Sequence, residues 1–339
     1  MVERNHEKAI NLLNRLNSKI DVPDYLEDKK EKLEDDLSVN DIIGNAQNKE
    51  TLEEKIAYLN LGIEKYSENA NLYVWRGHYF NNLEQYNEAI KDFDEAIEID
   101  PNNSKAFNNR GYAKKELKQY DEAIKDLDRA IELNSNYLKA YSNRGLAKNN
   151  LKKYEEAIDD LNKAIELDPN YSTAYNNRGL AKNGLKKYEK AIEDYDKSIQ
   201  IDPSNSVFYS NRGSAKNNLK EYQEAIKDLS KAIEFDPNYS KSYSHRGKAL
   251  IKMDRLVEGE KSIRKSIDLD KDYANAYATL AILFATKKEI EHFYENFEIA
   301  LQKDIDLIRY NVLEDEIIEP FLKEERFLNL LKKYGKELK

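Results

Sequence analysis

Apolar positions recur at helical spacing through most of the chain, in pairs of short stretches. Between residues 138 and 171, the first stretch places apolar or small residues at Tyr141, Gly145, Ala147 and Leu151. The second stretch places them at Tyr154, Ala157, Ile158, Leu161, Ala164, Ile165 and Leu167. This spacing predicts two amphipathic helices of at most about four turns each, joined by a turn at Lys152 and Lys153. The sequence Asp168-Pro169-Asn170 predicts the end of the second helix, because proline cannot continue a helix and Asn and Asp favour turns.

The helix pair repeats every 34 residues, and an Arg-Gly dipeptide marks six successive repeats. The dipeptide stands at Arg76-Gly77, Arg110-Gly111, Arg144-Gly145, Arg178-Gly179, Arg212-Gly213 and Arg246-Gly247. A fixed period of this length indicates stacked supersecondary units instead of a single enclosed core. Glycine inside a helix costs about 1 kcal/mol relative to alanine, so its recurrence predicts a packing role. We expect pairs such as Gly145 and Ala157 to let the two helices approach closely.

Three features that recur among the units identify a family resemblance. An aromatic residue lies four before the glycine, an alanine lies four before an apolar residue, and Asp-Pro closes four of the units, as in Tyr175…Gly179…Ala191…Tyr195…Pro203. The pattern closely resembles the tetratricopeptide repeat. The resemblance implies an all-α, right-handed superhelical solenoid of antiparallel helix pairs, whose concave face is lined by the first helix of each unit. It predicts N-terminal helices with a degenerate repeat in 1–69, seven units in 70–307 and capping helices in 308–339.

The chain departs from this family at two positions of the first helix. Where the family usually has leucine and an aromatic residue, this chain has Arg144 and Lys148 and their equivalents. In five units an aspartate on the second helix accompanies the arginine: Arg76/Asp92, Arg110/Asp126, Arg144/Asp160, Arg178/Asp194 and Arg212/Asp228. We expect a salt bridge inside each unit; the alternative is two solvated charges worth under about 1 kcal/mol. The sixth unit keeps Arg246 but has Ser262, which leaves Arg246 as the arginine most available for function.

The two ends of the chain are less regular. Leu52 to Asn69 is interpreted as the second helix of a degenerate unit, and Ala9 to Leu16 as a separate helix. No structure is predicted for 25–48, which is rich in charge and weakly patterned. The C-terminal apolar positions Ile317, Ile318, Phe321, Leu322, Phe327, Leu328, Leu330 and Leu331 form two amphipathic segments. We favour a capping helix pair there over a dimer or partner surface.

Composition excludes several classes of function. The net charge is −9, which disfavours nucleic acid as a partner. There is no cysteine, and no stretch approaches the roughly 20 apolar residues of a membrane span. The first 20 residues lack the apolar core of a signal peptide. We therefore expect a cytoplasmic protein that does not bind membranes, with a monomer favoured.

No arrangement of residues typical of a catalytic site appears in the sequence. The four histidines form no spaced pair on one helix face, and no phosphate-binding or nucleophile motif occurs. Carboxylates are abundant but fall on helix faces where solvated charge is the ordinary expectation. We expect no enzyme activity, no cofactor and no metal site.

The expected ligand surface is the concave face. One row of side chains is Asn109, Asn143, Asn177 and Asn211; a second is Lys115, Asn149, Asn183 and Asn217; Tyr112 lies between them, and Lys139, Lys241, His245 and Lys248 complete the candidate site. Asparagine both donates and accepts hydrogen bonds, so such a row can read the peptide groups of an extended chain. The alternative is that these asparagines serve helix packing.

Charge suggests the kind of ligand. The expected groove contains six lysines, Lys105, Lys115, Lys139, Lys241, Lys248 and Lys252, against Glu116, whereas the second helices are acidic. We therefore predict a non-catalytic scaffold that binds an extended acidic or carboxylate-bearing protein segment. The alternative is an immunity- or inhibitor-type partner that wraps a folded toxin or enzyme, which exposed Trp75, Tyr79 and Phe80 would favour.

Overall fold

The computed structural model describes residues 37–304 and 315–334, which contain helices and turns and no β-strand. The chain divides into two compact units, residues 1–167 and 168–339. Each is a series of helices in which neighbours in sequence pack against each other. The described part contains no helix that is long and apolar enough to cross a membrane.

The first compact unit contains eight described helices. They are α1 (Val39–Gln47), α2 (Leu52–Lys65), α3 (Ala70–Asn82), α4 (Tyr86–Ile99), α5 (Ser104–Glu116), α6 (Tyr120–Leu133), α7 (Leu138–Asn150) and α8 (Tyr154–Leu167). From α3 onward, each pair joins a helix of 13 residues to one of 14. This equality reproduces the repeat that the sequence predicts.

The second compact unit continues the same pattern. It contains α9 (Ser172–Gly184), α10 (Tyr188–Ile201), α11 (Ser206–Asn218), α12 (Tyr222–Phe235), α13 (Ser240–Lys252), α14 (Leu256–Leu269), α15 (Ala274–Thr286) and α16 (Ile290–Lys303). A 3₁₀ helix (Glu316–Lys323) and α17 (Glu325–Lys333) follow. The pairs α13–α14 and α15–α16 have the same lengths as the others.

A degenerate helix pair precedes the regular repeats. Helix α2 forms within the predicted stretch and packs against α1, where a Cβ on Gly62 would lie 2.7 Å from Ile42 Cγ2. No element was predicted for 25–48, and α1 forms within it. Ser38 accepts a hydrogen bond from the Asp41 backbone N–H, and Asp41 accepts one from the Ser38 backbone, which forms a capping box at the start of α1. The helix expected at Ala9 to Leu16 lies outside the described residues.

The repeated glycine brings the paired helices into contact. A Cβ added to Gly145 would lie 2.8 Å from Leu161 Cγ and 3.2 Å from the Ala157 carbonyl oxygen. The first distance is too short for a real contact, so alanine there would force α7 and α8 apart or displace Leu161. The close approach predicted for Gly145 and Ala157 is confirmed.

A bidentate ion pair joins the two helices of each of the first five units. In the third unit, Asp160 accepts hydrogen bonds from Arg144 Nε and Nη2, the first at 3.0 Å, and its side chain is buried. Lys148 Nζ lies 2.9 Å from the same carboxylate. Equivalent contacts occur at Asp92, Asp126, Asp194 and Asp228. The predicted salt bridge is confirmed, and at Asp126, Asp160, Asp194 and Asp228 a lysine shares the aspartate.

The same arginines also reach the preceding unit, which the sequence analysis did not anticipate. Arg144 Nη1 donates to Asp128 at 2.6 Å, and Arg110 Nη1 donates to Asp94 at 2.6 Å. Each guanidinium also lies over the aromatic ring three residues before it, as Arg144 does at 5.5 Å from the centre of Tyr141. One side chain therefore ties together three helices from two consecutive units.

The turn between paired helices places a non-glycine residue in left-handed backbone conformation in all seven regular units. The residues are Glu84, Lys118, Lys152, Lys186, Lys220, Asp254 and Lys288, with φ between 58° and 62°. Side chains other than glycine are strained there by about 1–2 kcal/mol. The chain therefore carries a small strain at the same place in every unit.

The C-terminal segment packs on the last helix pair. Ile318, Phe321, Phe327 and Leu331 are buried in one apolar cluster with Phe293 and Phe297 of α16, and Leu328 is exposed. The ring centres of Phe293 and Phe321 are 4.2 Å apart. Arg326 pairs with Glu291 at 2.8 Å. The segment thus covers apolar surface that the end of the repeats would otherwise expose.

Replacement of Asp160 by asparagine is expected to lower the free energy of unfolding by about 2–4 kcal/mol, because Arg144 and Lys148 lose their buried counter-charge. Urea unfolding followed by circular dichroism measures the change. Asp159→Asn alters an exposed carboxylate on the same helix and should change stability by less than about 0.5 kcal/mol. Equal effects of the two substitutions would contradict a structural role for the ion pair.

Replacement of Lys118 by glycine is expected to stabilise the protein by about 0.5–1 kcal/mol, because glycine relieves the left-handed strain and returns only part of it as unfolded-state entropy. The neighbouring Gln119 has φ −86°, so Gln119→Gly offers no such relief and should destabilise by up to about 1 kcal/mol. Thermal unfolding midpoints compare the two variants. A lower midpoint for Lys118→Gly would show that the turn is not strained.

Candidate functional site

Amide side chains link the first helices of the first compact unit. Asn143 Nδ2 on α7 donates to Asn108 Oδ1 on α5 at 3.1 Å. Asn108 Nδ2 donates in turn to Asn109 Oδ1 at 2.9 Å. Two of the asparagines of the predicted first row are therefore joined through Asn108, a residue that the sequence analysis did not include in the site.

The second compact unit repeats this arrangement. Asn211 Nδ2 on α11 donates to Asn176 Oδ1 on α9 at 2.8 Å, and Asn176 Nδ2 donates to Asn177 Oδ1 at 3.3 Å. Asn176 and Asn177 are both buried, whereas Asn211 is half-buried. The Asn-Asn dipeptides at 108–109 and 176–177 could have indicated these networks. The first row thus takes part in helix packing, as the alternative interpretation holds.

The network of the first compact unit still leaves hydrogen-bonding groups available. The Asn109 Nδ2 donor and the Asn143 Oδ1 acceptor have no partner among the described residues. Both residues are half-buried, so part of each side chain meets solvent. An amide acts as donor and acceptor at once, and here one end of the network offers a donor while the other offers an acceptor.

The second predicted row lies deeper between first helices. Lys115 is 7% exposed and lies 2.6 Å from Glu116, and Asn217 is 5% exposed. Asn217 Nδ2 donates to the His245 backbone carbonyl of the next first helix at 2.8 Å. Asn149 and Asn183 are half-buried. Lys115 and Asn217 therefore offer a ligand little surface.

Tyr112 belongs to a self-contained cluster on α5. Burial and the nearby Glu116 raise the pKa of the Tyr112 hydroxyl to about 12. Lys115 Nζ lies 4.5 Å from the centre of the Tyr112 ring. The Tyr112 hydroxyl is thus a neutral hydrogen-bonding group. It lies beside the ion pair of Lys115 and Glu116, whose charges cancel.

The positive charge of the site is smaller than the sequence suggests. Lys115 is paired with Glu116, and Lys252 Nζ lies 2.8 Å from Asp315 of the C-terminal segment. Lys105, Lys139 and Lys241 are exposed, and no carboxylate of the described residues pairs with them. The sequence already places Glu116 against the six lysines, and tertiary packing adds one further carboxylate, Asp315, beside Lys252.

The surroundings of two histidines on first helices lower the pKa values of their side chains. Burial lowers the pKa of His78, and the charge of Lys139 lowers it further. His78 stands on α3, and Lys139 stands on α7 two repeats later. In the second compact unit, burial together with Lys248 and Lys241 lowers the pKa of His245 to about 4. Both imidazoles are therefore neutral near pH 7.

The aromatic surface proposed for a folded partner is not exposed. Tyr79 is 5% exposed and Phe80 is 3% exposed. Both belong to an apolar cluster with Ile42 of α1 and Leu59 of α2, and Trp75 packs against it. The exposed aromatic end that would have favoured a folded partner is not observed, because the degenerate helix pair covers Tyr79 and Phe80.

The described first helices carry side chains suited to binding. Within residues 37–304 and 315–334, no group of three or more His, Asp or Glu side chains is placed to hold a metal ion. The chemistry on the first helices is that of amides, lysines and neutral rings. Such groups recognise peptide groups and carboxylates.

The comparisons with known structures support the fold. A tetratricopeptide repeat protein from Parabacteroides merdae is 18% identical, with 79% of this chain and 99% of that chain covered at a TM-score of 0.58. A structure of the APC/C hetero-tetramer Cut9–Hcn1 is 14% identical and has a TM-score of 0.65 over 92% of this chain and 60% of that one. A MamA structure is 28% identical, with 49% of this chain and 96% of that chain covered at a TM-score of 0.41, which carries no argument.

The sequence itself matches a family model. No protein of curated function matches the chain. The model described as "Tetratricopeptide repeat" matches five consecutive stretches, 70–103, 104–137, 138–171, 172–205 and 206–239. These are the first five units predicted from the Arg-Gly period, and together they cover half of the chain. The chain therefore belongs to the tetratricopeptide repeat family.

Proposed function

We propose that this protein is a non-catalytic interaction scaffold that binds an extended segment of a partner protein along its first helices. Tetratricopeptide repeats are protein-interaction modules, and the first helices here present the available polar groups. The observation that carries the proposal is the pair of open groups at Asn109 Nδ2 and Asn143 Oδ1.

An extended peptide matches these open groups. Each of its peptide units has one donor and one acceptor, and in a bound strand these must be satisfied when water is displaced. Asn109 and Asn143 offer the complementary pair on helices of consecutive repeats. Their orientation is fixed, because the remaining groups of both side chains are bonded through Asn108. Fixed side chains reduce the entropy that binding costs.

Charge favours an acidic or carboxylate-bearing segment. Lys105 and Lys139 stand on the same two first helices, α5 and α7, and are exposed. The charge of Lys139 also lowers the pKa of His78 on α3. A partner carboxylate would gain from this local positive charge although the whole chain carries a net charge of −9.

The alternative is an immunity- or inhibitor-type partner that wraps a folded toxin or enzyme. An exposed aromatic end would have favoured it, and Tyr79 and Phe80 are buried beneath α1 and α2. We therefore place the binding residues among the sequence-predicted set, with Asn109, Asn143 and Lys139 as the principal contacts.

Selection from a random peptide library with the purified protein is expected to enrich acidic peptides or peptides with a free terminal carboxylate. Binding of a selected peptide, measured by fluorescence anisotropy, should weaken as salt is added, because exposed charges about 10 Å apart are screened near 0.1 M salt. Enrichment of basic or purely apolar peptides would overturn the proposed ligand chemistry.

Asn109→Asp tests the open donor without breaking the network. The aspartate keeps the oxygen that accepts from Asn108, but it replaces the open amide donor with negative charge. The affinity for a selected peptide should fall about tenfold or more, the equivalent of about 1.4 kcal/mol. Asn87→Asp makes the same change at an exposed residue of α4 and should leave the affinity unaltered.

Asn143→Ala and Asn177→Ala extend the test to both compact units. Asn143→Ala removes the open acceptor, and circular dichroism separates a binding defect from a folding defect. Retention of full affinity in folded Asn109→Asp and Asn143→Ala variants would refute the role of the first helices in recognition.

A further inference from the structure

The sixth repeat departs from the ion-pair pattern of the others. In the fifth repeat, Arg212 Nε and Nη2 donate to Asp228 at 2.8 and 2.6 Å, and Nη1 donates to Asp196 at 2.6 Å. Asp228 stands sixteen residues after the arginine and Asp196 sixteen before it. At the same offsets from Arg246 the chain has Ser262 and Ser230. Arg246 therefore lacks both of the carboxylates that an equivalent arginine uses.

The hydrogen bonds of Arg246 are few. Its Nε donates to Ser262 Oγ at 3.2 Å, and the Ser262 hydroxyl donates to the Tyr243 carbonyl at 2.9 Å. The guanidinium lies over the Tyr243 ring, 5.4 Å from its centre. Among the described residues, neither Nη1 nor Nη2 has a hydrogen-bond or ion-pair partner. Four N–H groups of a half-buried cation are thus left for another acceptor.

The pKa of Arg246 reflects burial without a carboxylate in hydrogen-bond contact. Burial lowers the pKa of Arg246, and Tyr243 and Glu258 only partly oppose this. The pKa of Arg212 is raised instead, because Asp228 and Asp196 outweigh the same effect of burial. A half-buried cation without its carboxylate is costly to maintain.

The rest of the sixth repeat has lost the groups that served the aspartate. Lys216 shares Asp228 with Arg212, at 2.8 Å. The corresponding residue in the sixth repeat is Leu250, which is buried. The aspartate and its lysine are therefore both replaced, but the arginine remains and keeps its place over the tyrosine.

The electrostatic character of the second helix also changes here. Helices α4 and α8 each carry five acidic residues and one basic residue. Helix α14 carries three of each, and its basic residues are Lys261, Arg264 and Lys265. Lys261 and Lys265 are exposed, and no carboxylate of the described residues pairs with them. An approaching anion therefore meets less repulsion at α14 than at α4 or α8.

We propose that Arg246 is the anchor of a second binding site, on the side of the second helices α12 and α14, which takes a carboxylate from an acidic segment of a partner protein. The incoming carboxylate accepts from Nη1 and Nη2, as Asp196 and Asp228 do at Arg212. Access is from the side of Ser230, which is exposed. The side chain of Asp196, the equivalent residue one repeat earlier, is 56% exposed. The site does not depend on the asparagine network, because Arg246 faces the second helices.

The test places a carboxylate of the protein itself beside Arg246. Ser262→Asp supplies the missing carboxylate beside Arg246, and Val257→Asp adds the same charge at an exposed position of α14. The probe is a fluorescein-labelled hexaglutamate peptide, with hexaglutamine as the uncharged comparison. The wild-type protein should bind hexaglutamate and not hexaglutamine. Ser262→Asp should weaken binding at least tenfold and raise the thermal unfolding midpoint by several degrees, and Val257→Asp should do neither.

The test also uses Arg246→Lys, sodium sulfate and Asn109→Asp. Arg246→Lys keeps the charge but loses the paired N–H groups, so it should also weaken hexaglutamate binding. A lower unfolding midpoint for Ser262→Asp would overturn the proposal, because it would show that no position for a carboxylate exists beside Arg246. Stabilisation of the wild type by sodium sulfate without hexaglutamate binding would overturn it in favour of a free anion. Weakened hexaglutamate binding in Asn109→Asp, with Ser262→Asp unchanged, would assign the binding to the first helices instead.

Discussion

The stacking of this protein depends on a guanidinium group shared among three helices. Arg144 binds Asp160 of its partner helix through Nε and Nη2 and Asp128 of the preceding repeat through Nη1. Arg110 and Arg212 make the same contacts with aspartates, and Arg76 Nη1 donates to Asn60 instead. Only arginine presents donors in two directions at fixed angles. Cohesion within a repeat and between repeats therefore comes from the same side chain. The glycine that follows allows it, because the two helices must approach closely for the arginine to reach.

This use of charge explains why the chain is so polar for a protein with packed helices. Leucine and an aromatic residue give way to arginine and lysine, and the buried volume is filled by an ion cluster centred on one aspartate. Such a cluster is favourable only when every buried charge in it has its counter-charge. In the sixth repeat both aspartates are missing, so Nη1 and Nη2 of Arg246 have no acceptor among the described residues. These donors are the groups that we propose bind a carboxylate of a partner.

Consecutive residues on a first helix make hydrogen bonds toward different neighbouring helices. Asn108 and Asn109 link first helices to one another, while Arg110 turns toward the second helices. Contacts between first helices and contacts with the second helices are thereby separated over three consecutive residues. The asparagine network is incomplete at its ends, and those ends are the groups that a peptide could complete.

The sequence by itself determined the repeat, the helix pairs, the close contact at Gly145 and the ion pair between Arg144 and Asp160, because these depend on spacing inside one unit of fixed geometry. Only the tertiary structure decided which groups meet across units: Asp128 with Arg144, Asn108 with Asn143, and Asp315 with Lys252. The last two pairs lie 35 and 63 residues apart in sequence. Local pattern carries no information about such distances, since they follow from how one helix pair is set against the next. The left-handed turn at Lys118 was hidden for a different reason, because the residue that signals it, glycine, is missing and the packing of the paired helices imposes it.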